Sequence, residues 1–219
     1  MIFEEKLIFF PERYPLGDWK PHIPRGFSLQ DVYIPVGNIK LHSWYIEPAE
    51  KKFAAAVLLC HGNAGNITSR LPKALSIASC GVPVLLFDYR AYGKSDLGSI
   101  SEKSIYMDSQ AAYDCLVEKG FKESQILIHG ISLGGGAACY LSEKNRPGAL
   151  SLESTFTSIP DMCKRVYPLL PKFIVSTKFN NLERLSKLDI PVQIIHGTAD
   201  DLIPYSMGES LFKAANEQI

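Results

Sequence analysis

The sequence has no stretch of about 18 consecutive apolar residues, the length a membrane-crossing helix requires, so nothing in it reads as a transmembrane span. It has no excess charge either: Lys plus Arg and Asp plus Glu number 23 each, for a formal net charge of zero. Without a basic field or a Lys/Arg block, the electrostatics argue against a nucleic-acid partner and give no pull toward an anionic membrane. It has no CxxC pair. Cys60, Cys80, Cys115, Cys139 and Cys163 are odd in number and widely spaced, which fits buried reduced thiols better than a disulfide framework or a zinc site. Met1–Phe10 carries Glu4, Glu5 and Lys6 and lacks the long apolar core of a signal peptide. Reduced thiols and no export signal favour the cytoplasm. Leu7-Ile8-Phe9-Phe10 is apolar enough to touch a membrane or to pack against the rest of the chain.

What is present is ordinary globular chemistry. Hydrophobic residues are 46% and charged residues 21%, and 219 residues suffice for one large domain with a sizeable core. Residues 1–30 read as an irregular N-terminal segment, punctuated by Pro11, Pro15, Pro21 and Pro24. Residues 31–219 read as a single domain. It opens with two strands, Asp31–Val36 and Ile39–Ile46, joined at Gly37-Asn38 as a hairpin.

Short apolar runs then alternate with helical spacing. Strands are expected at Ala54–Cys60, Val82–Phe87, Gln125–His129, Ala149–Leu152 and Val192–Ile195. Helices are expected near Ser69–Ser79, Ile105–Lys119, Leu133–Lys144 and Tyr205–Ala215. Such alternation calls for right-handed crossovers and a mostly parallel sheet with helices on both faces. Between about 156 and 188 the alternation breaks down around Pro160, Pro168 and Pro171, the place for a lid-like insertion over a site. Met162, Tyr167, Leu169, Leu170, Phe173 and Ile174 give that insertion an apolar character.

Three motifs lie at the ends of these strands. Gly130-Ile131-Ser132-Leu133-Gly134 falls between a strand and a helix, with Gly135 and Gly136 following. Small flanking residues let a serine sit on a tight strand-to-helix turn, its hydroxyl held clear at a helix N-terminus whose dipole favours negative charge. Ser132 is therefore the candidate nucleophile. His61-Gly62-Asn63-Ala64-Gly65-Asn66 follows an earlier strand. A developing oxyanion needs two converging N–H donors, and Asn63 and Leu133 are the candidates. His61 reads as a brace of its loop, with Gly62, Gly130 and Gly134 as supporting positions. His196-Gly197-Thr198-Ala199-Asp200-Asp201 follows the last strand. Asp200 is the candidate acid, Asp201 reads as a cap of the next helix, and Glu153 is a reserve.

With Asp88-Tyr89-Arg90-Ala91-Tyr92-Gly93-Lys94-Ser95 and Glu153-Ser154-Thr155-Phe156-Thr157-Ser158, these motifs resemble one branch of the α/β-hydrolase superfamily. That branch carries HGNAGN, DYRGYGxS, GxSLGG, ESxFTS and HGTxDxxVP, in serine-aminopeptidase-like and α/β-hydrolase-domain proteins. The resemblance covers nearly the whole chain from Phe9 onward. It implies an α/β-hydrolase fold and a serine hydrolase that cleaves an ester, thioester or amide through an acyl-enzyme. The acyl group rides on Ser132, so no metal and no organic cofactor is implied. Ala91 stands where the branch has glycine, which is tolerable unless that backbone needs positive φ.

One part of the pattern is missing. The resemblance implies a base histidine beyond Asp200, after one further strand, yet the histidines are His22, His42, His61, His129 and His196. The expectation is a chain shortened by the last strand and helix, with an exposed edge at Val192–Ile195 open to aggregation or dimerisation, and with reduced or no turnover. The alternatives are a non-catalytic binding protein of the same fold and a peptidase acting on short peptides. The expected partner is a small acyl or peptide substrate. Membrane association is possible but not indicated.

Overall fold

The computed structural model describes residues 8–166 and 176–216. Its centre is a seven-stranded sheet built from β1 (Phe27–Val36), β2 (Ile39–Pro48), β3 (Ala56–Cys60), β4 (Val84–Phe87), β5 (Ile126–Ile131), β6 (Ala149–Glu153) and β7 (Val192–Ile195). The spatial order is β1-β2-β4-β3-β5-β6-β7. β1 and β2 form the expected antiparallel hairpin, and β2 lies antiparallel to β4; every other pairing is parallel. The turn opens on Gly37 at φ +60°, and glycine at the first turn position suits the twist of the two strands. β1 begins at Phe27, inside the segment expected to be irregular, so the hairpin is longer than its apolar alternation suggested.

The helices are α1 (Leu71–Ala78), α2 (Glu102–Glu118), α3 (Leu133–Asn145), α4 (Ile159–Val166), α5 (Asn181–Leu185) and α6 (Tyr205–Asn216). α2 starts earlier than its apolar spacing implied. The reason is a polar cap: Ser101 Oγ accepts from Ser104 N–H at 3.1 Å, while Ser104 Oγ accepts from Ser101 N–H at 2.8 Å. α4 and α5 occupy the described part of the lid-like stretch. Tyr167, Leu169, Leu170, Phe173 and Ile174 lie outside the described residues.

Alternating side chains divide the core between the two faces of the sheet. Leu58, Leu85, Phe87, Ile126, Ile128, Leu150 and Leu152 pack in one cluster with residues of α2, α3 and α6. Val57, Leu59, Val84 and Leu86 point the other way, against Leu71, Ala74 and Ala78 of α1. Because β3 and β4 are buried on both faces, they read as unbroken apolar runs. β5 differs. Ile126 and Ile128 are fully buried, but Leu127, on the opposite face, is 37% exposed.

Among the described residues, α1 covers only the β2–β4–β3 half of that second face. An open groove of about 480 Å³ lies over β5, β6 and β7, with Leu127, Leu150, Val192 and Ile195 in its walls. β7 pairs with β6 alone among the described residues and is half-exposed along its length. Of the cysteines expected to be buried, Cys60 and Cys139 are, whereas Cys80 is exposed at the end of α1. No helix among the described residues is long and apolar enough to cross a membrane.

Candidate active site

The strand order places the site. From β3 the chain moves one way to β4, then crosses back to β5 on the other side of β3, so β3 and β5 are neighbours whose following loops diverge. Such a switch point leaves a crevice at the carboxyl ends of the strands. Cys60 at the end of β3 pairs in register with Gly130 of β5, so His61–Asn63 and Ser132 emerge side by side. A Cβ on Gly62 would lie 3.4 Å from Ser132 Cβ.

Ser132 occupies the turn between β5 and α3 at φ +51° and ψ −116°, a region non-glycine residues avoid. The surroundings hold it there. Its N–H donates to the Glu153 carbonyl at 2.9 Å, and its own carbonyl accepts from Gly135 N–H at 2.9 Å and Thr155 Oγ1 at 2.7 Å. The turn works only because Gly130 and Gly134 have no side chains. A Cβ on Gly134 would stand 2.0 Å from the Cys60 carbonyl oxygen, and one on Gly130 would stand 2.7 Å from the Gly134 carbonyl oxygen. Leu133 is the first residue of α3, where N–H groups have no acceptor within the helix.

The Asn63 loop is fixed from several sides. Tyr92 Oη donates to Asn63 Oδ1 at 3.1 Å, and Tyr89 Oη donates to the His61 carbonyl at 3.2 Å. His61 is fully buried, its Nδ1–H donating to the Gly62 carbonyl at 2.7 Å and its Nε2 standing 3.6 Å from Asp88 Oδ1. Burial pushes the His61 pKa down to about 3, so the ring is neutral at physiological pH. This geometry suits a brace and leaves no path from His61 to the Ser132 hydroxyl as a base. Burial also drives Asp88 well above the usual carboxylate range. In the neighbouring loop after β4, Arg90 pairs with Asp108 of α2, with Nη2 2.6 Å from Oδ1.

Ser132, Leu133 and Asn63 share a cavity of about 300 Å³ with side chains of α4 and with Leu202 and Ile203 of the loop after β7. Asp200 belongs to that loop. Its Oδ1 accepts the N–H groups of Leu202 at 3.0 Å and Ile203 at 2.9 Å, and these bonds, that of Ile203 foremost, lower its pKa. Asp200 rather than Asp201 therefore shapes the turn. Asp201 is exposed and lies too far ahead of α6 to cap it.

Glu153, the reserve acid, faces away from the cavity. It pairs with Lys73 at 2.8 Å and His129 at 3.2 Å on the wall of the open groove.

None of the five histidines lines the Ser132 cavity. His42 is buried against Asp31 at 2.5 Å, and His22 is exposed in the N-terminal segment. His129 contacts Ser151 and Glu153, and His196 donates Nε2–H to the Ile203 carbonyl at 2.8 Å. Ala91 has φ +64°, so the condition under which an alanine there is unwelcome is met.

Met162, expected in the apolar lid-like stretch, lines the cavity together with Ile159, Cys163 and Val166 of α4, at the i, i+3, i+4, i+7 spacing of one helical face; the last three were not singled out there from the sequence. Ile8 and Phe10 also line it, and no local pattern announces that contact.

Comparison with known proteins bears on the fold. No family model matches the chain. An uncharacterized protein of Mycobacterium tuberculosis is 33% identical over 217 residues, covering 98% of this chain and 76% of that one. The alpha/beta hydrolase domain-containing protein WAV2 of Arabidopsis thaliana is 30% identical over 225 residues, covering 93% of this chain and 73% of WAV2. The chain belongs to the α/β-hydrolase family. Among solved structures, the Pyrococcus furiosus esterase Pf2001 superposes on this α/β-hydrolase with a TM-score of 0.75 at 23% identity, over 95% of this chain and 85% of the esterase. That likeness concerns the fold. The mostly parallel sheet with an antiparallel N-terminal hairpin, expected from the sequence, is the architecture of this α/β-hydrolase.

Proposed function

We propose that the protein is a serine hydrolase that cleaves an ester, thioester or amide by acyl transfer to Ser132. The observation that carries the reading is Ser132 itself, held at φ +51° by three backbone-directed hydrogen bonds at the mouth of an apolar cavity. Strain of this kind persists only where the surroundings over-determine it, and it clusters at functional sites. In the reaction Ser132 Oγ bonds to the substrate carbonyl carbon and the carbonyl oxygen becomes an oxyanion. The N–H groups of Leu133 and Asn63 stabilise that charge, aided by the N-terminal end of the α3 dipole. The leaving group departs with a proton, and water then releases the acyl group. Asp200 is the acid that would orient a base histidine.

A second reading is a non-catalytic binding protein of the same fold, favoured by the fact that none of the five histidines lines the described Ser132 cavity. A fluorophosphonate probe separates them. Stoichiometric labelling that disappears in Ser132→Ala supports the hydrolase, and no labelling of folded protein favours the binding protein. Within the hydrolase reading, p-nitrophenyl esters set against aminoacyl anilides distinguish an esterase from a short-peptide peptidase.

A further inference from the structure

The chain ahead of β1 is stitched to the site loops. Glu12 N–H donates to the Gly65 carbonyl at 3.1 Å, Gly93 N–H donates to the Glu12 carbonyl at 2.9 Å, and Tyr14 N–H donates to the Gly93 carbonyl at 2.9 Å. Asn66 Nδ2 donates to the Leu16 carbonyl at 2.9 Å. Closest to the nucleophile, Phe10 N–H donates to Asn63 Oδ1 at 3.1 Å, and Asn63 Nδ2 donates to the Ile8 carbonyl. One asparagine side chain thus grips both sides of Phe9, which is itself buried at 4% exposure. The two neighbours of Phe9, Ile8 and Phe10, are left facing the Ser132 cavity.

The cavity they complete has a consistent chemistry. Ile8 and Phe10 share it with Ile159, Met162, Leu202 and Ile203, and no Asp, Glu, Lys, Arg or His is among its described lining residues. An α-amino or carboxylate group of a peptide would therefore be buried there without a counter-charge, which is costly, whereas methylene groups gain from leaving water. The rim is apolar as well, since Phe10 is 54% exposed and Leu202 is 64% exposed.

Resting on the hydrolase reading above, we propose that Ile8–Phe10 is a strap forming one wall of an acyl-binding site. Phe10 is its specificity-determining residue, and the accepted group is an extended, uncharged apolar acyl chain. The strap is not a lid that the fold could do without, because the side chain that anchors it belongs to Asn63, whose N–H is one of the two proposed oxyanion donors. Filling the wall and fixing the donor are thereby joined in one residue.

The test uses the full chain and three p-nitrophenyl alkylphosphonates bearing an ethyl group, an octyl group, or an alkyl chain ending in an ammonium. In each, Ser132 Oγ bonds to phosphorus, p-nitrophenolate leaves, and the hydroxyl proton goes to water. Rate is read from released p-nitrophenolate, and the labelled residue by peptide mass spectrometry. The octyl probe is expected to outpace both the ethyl and the ammonium probes by tenfold or more, since each buried methylene favours binding. Phe10→Ala should cut the octyl-to-ethyl ratio severalfold, and Phe10→Leu should restore most of it, with thermal melts reporting that both variants fold.

Equal rates for octyl and ethyl probes, or a ratio unmoved in folded Phe10→Ala, would overturn the strap assignment while leaving the hydrolase reading standing. An ammonium probe as fast as the octyl one would overturn the apolar selectivity. No labelling of Ser132 by any probe would instead remove the hydrolase reading on which the proposal rests.

Discussion

The loop after β3 and the loop after β7 both end at the Ser132 cavity, but they are held there in different ways. The first is buried and bonded from outside itself, with Tyr89, Tyr92 and the Ile8–Phe10 strap contacting His61 and Asn63. The second leans more on its own turn, although Ser154 bonds to Asp200 and Arg165 Nη2 donates to the Asp201 carbonyl at 3.2 Å. Asp200 bonds to Leu202 and Ile203, His196 bonds to Ile203, and the strand beneath has one partner among the described residues. The side proposed to hold the oxyanion is therefore specified mainly by long-range packing, and the side proposed to carry the acid mainly by local turn chemistry. Damage should spread on the first side and stay local on the second.

A matched pair of glycines breaks that contrast open. Gly134→Ala forces a Cβ to within 2.0 Å of the Cys60 carbonyl oxygen, so the elbow and β3 must move apart. The expected cost is about 3 kcal/mol, a large share of the stability of an ordinary domain. Gly197→Ala, in the acid loop, meets nothing within 4 Å and should stay within about 0.5 kcal/mol of the parent. Urea unfolding of both variants measures the difference. Equal effects would refute the contrast.

The next effect comes from the charge state of the buried side. Burial pushes His61 from 6.5 down to about 3 and lifts Asp88 well above 3.8. As pH falls below 6.5 the unfolded chain takes up a proton on His61 that the buried ring refuses until about 3, while above pH 3.8 the folded protein keeps a proton on Asp88 that the unfolded chain releases. The two proton differences have opposite signs, so each flattens the other's slope of stability with pH. In Asp88→Asn the folded side holds none while unfolded His61 still binds one. Stability contributed by neutral His61 is then present above pH 6.5 and lost as pH falls toward about 3. The slope should approach about 1.4 kcal/mol per pH unit relative to the parent. Urea midpoints across this range that run parallel in the two proteins would show that the pair does not share its proton in this way.

The sequence carried the parts of this structure that depend on short-range pattern. Each of the seven strands was expected: strands buried on both faces leave apolar runs such as Val84–Phe87, and the hairpin shows alternation around Gly37. The strand–turn–helix around Ser132 was legible because its glycines answer local steric demands. Less legible was whatever depends on a distant partner. The start of α2 is set by two serines rather than by apolar spacing, and the Ile8–Phe10 wall exists only because Asn63 reaches it across the fold. The apolar character of the lid-like stretch was legible, Met162 included, but not the helical face that Ile159, Cys163 and Val166 share with it, since Pro160 reads as a breaker where it in fact helps to start α4. Asp200 and Asp201 were assigned different duties from their positions, and only Asp200 turned out to organise its loop.

A smaller effect sharpens the buried side. Ala91 sits in the DYRAYG loop at φ +64°, 8% exposed, its N–H donating to the Asp96 carbonyl at 2.9 Å. Alanine in this conformation costs about 1–2 kcal/mol, while a glycine costs part of that back in unfolded-chain entropy. Ala91→Gly should therefore gain about 0.5–1 kcal/mol, read as a raised Tm. A loss would mean that the buried methyl contributes more than the backbone strain removes.

The smallest expected change in stability falls on the open side of the sheet. Ile195 ends β7 at 43% exposure, and Leu127, across the same groove, is 37% exposed. Neither side chain is enclosed, so Ile195→Lys should alter the unfolding free energy by no more than about 0.5 kcal/mol. Its consequence lies in association. A half-exposed edge strand beside an apolar groove invites pairing with another chain, and a lysine on such an edge opposes it. Light scattering at increasing concentration should show less self-association for Ile195→Lys than for the parent, with the same urea midpoint. A large loss of stability would show that this edge is as firmly packed as the oxyanion side and would erase the contrast between the two loops. Unchanged self-association with unchanged stability would move the sticky surface elsewhere, to the apolar rim formed by Phe10 and Leu202.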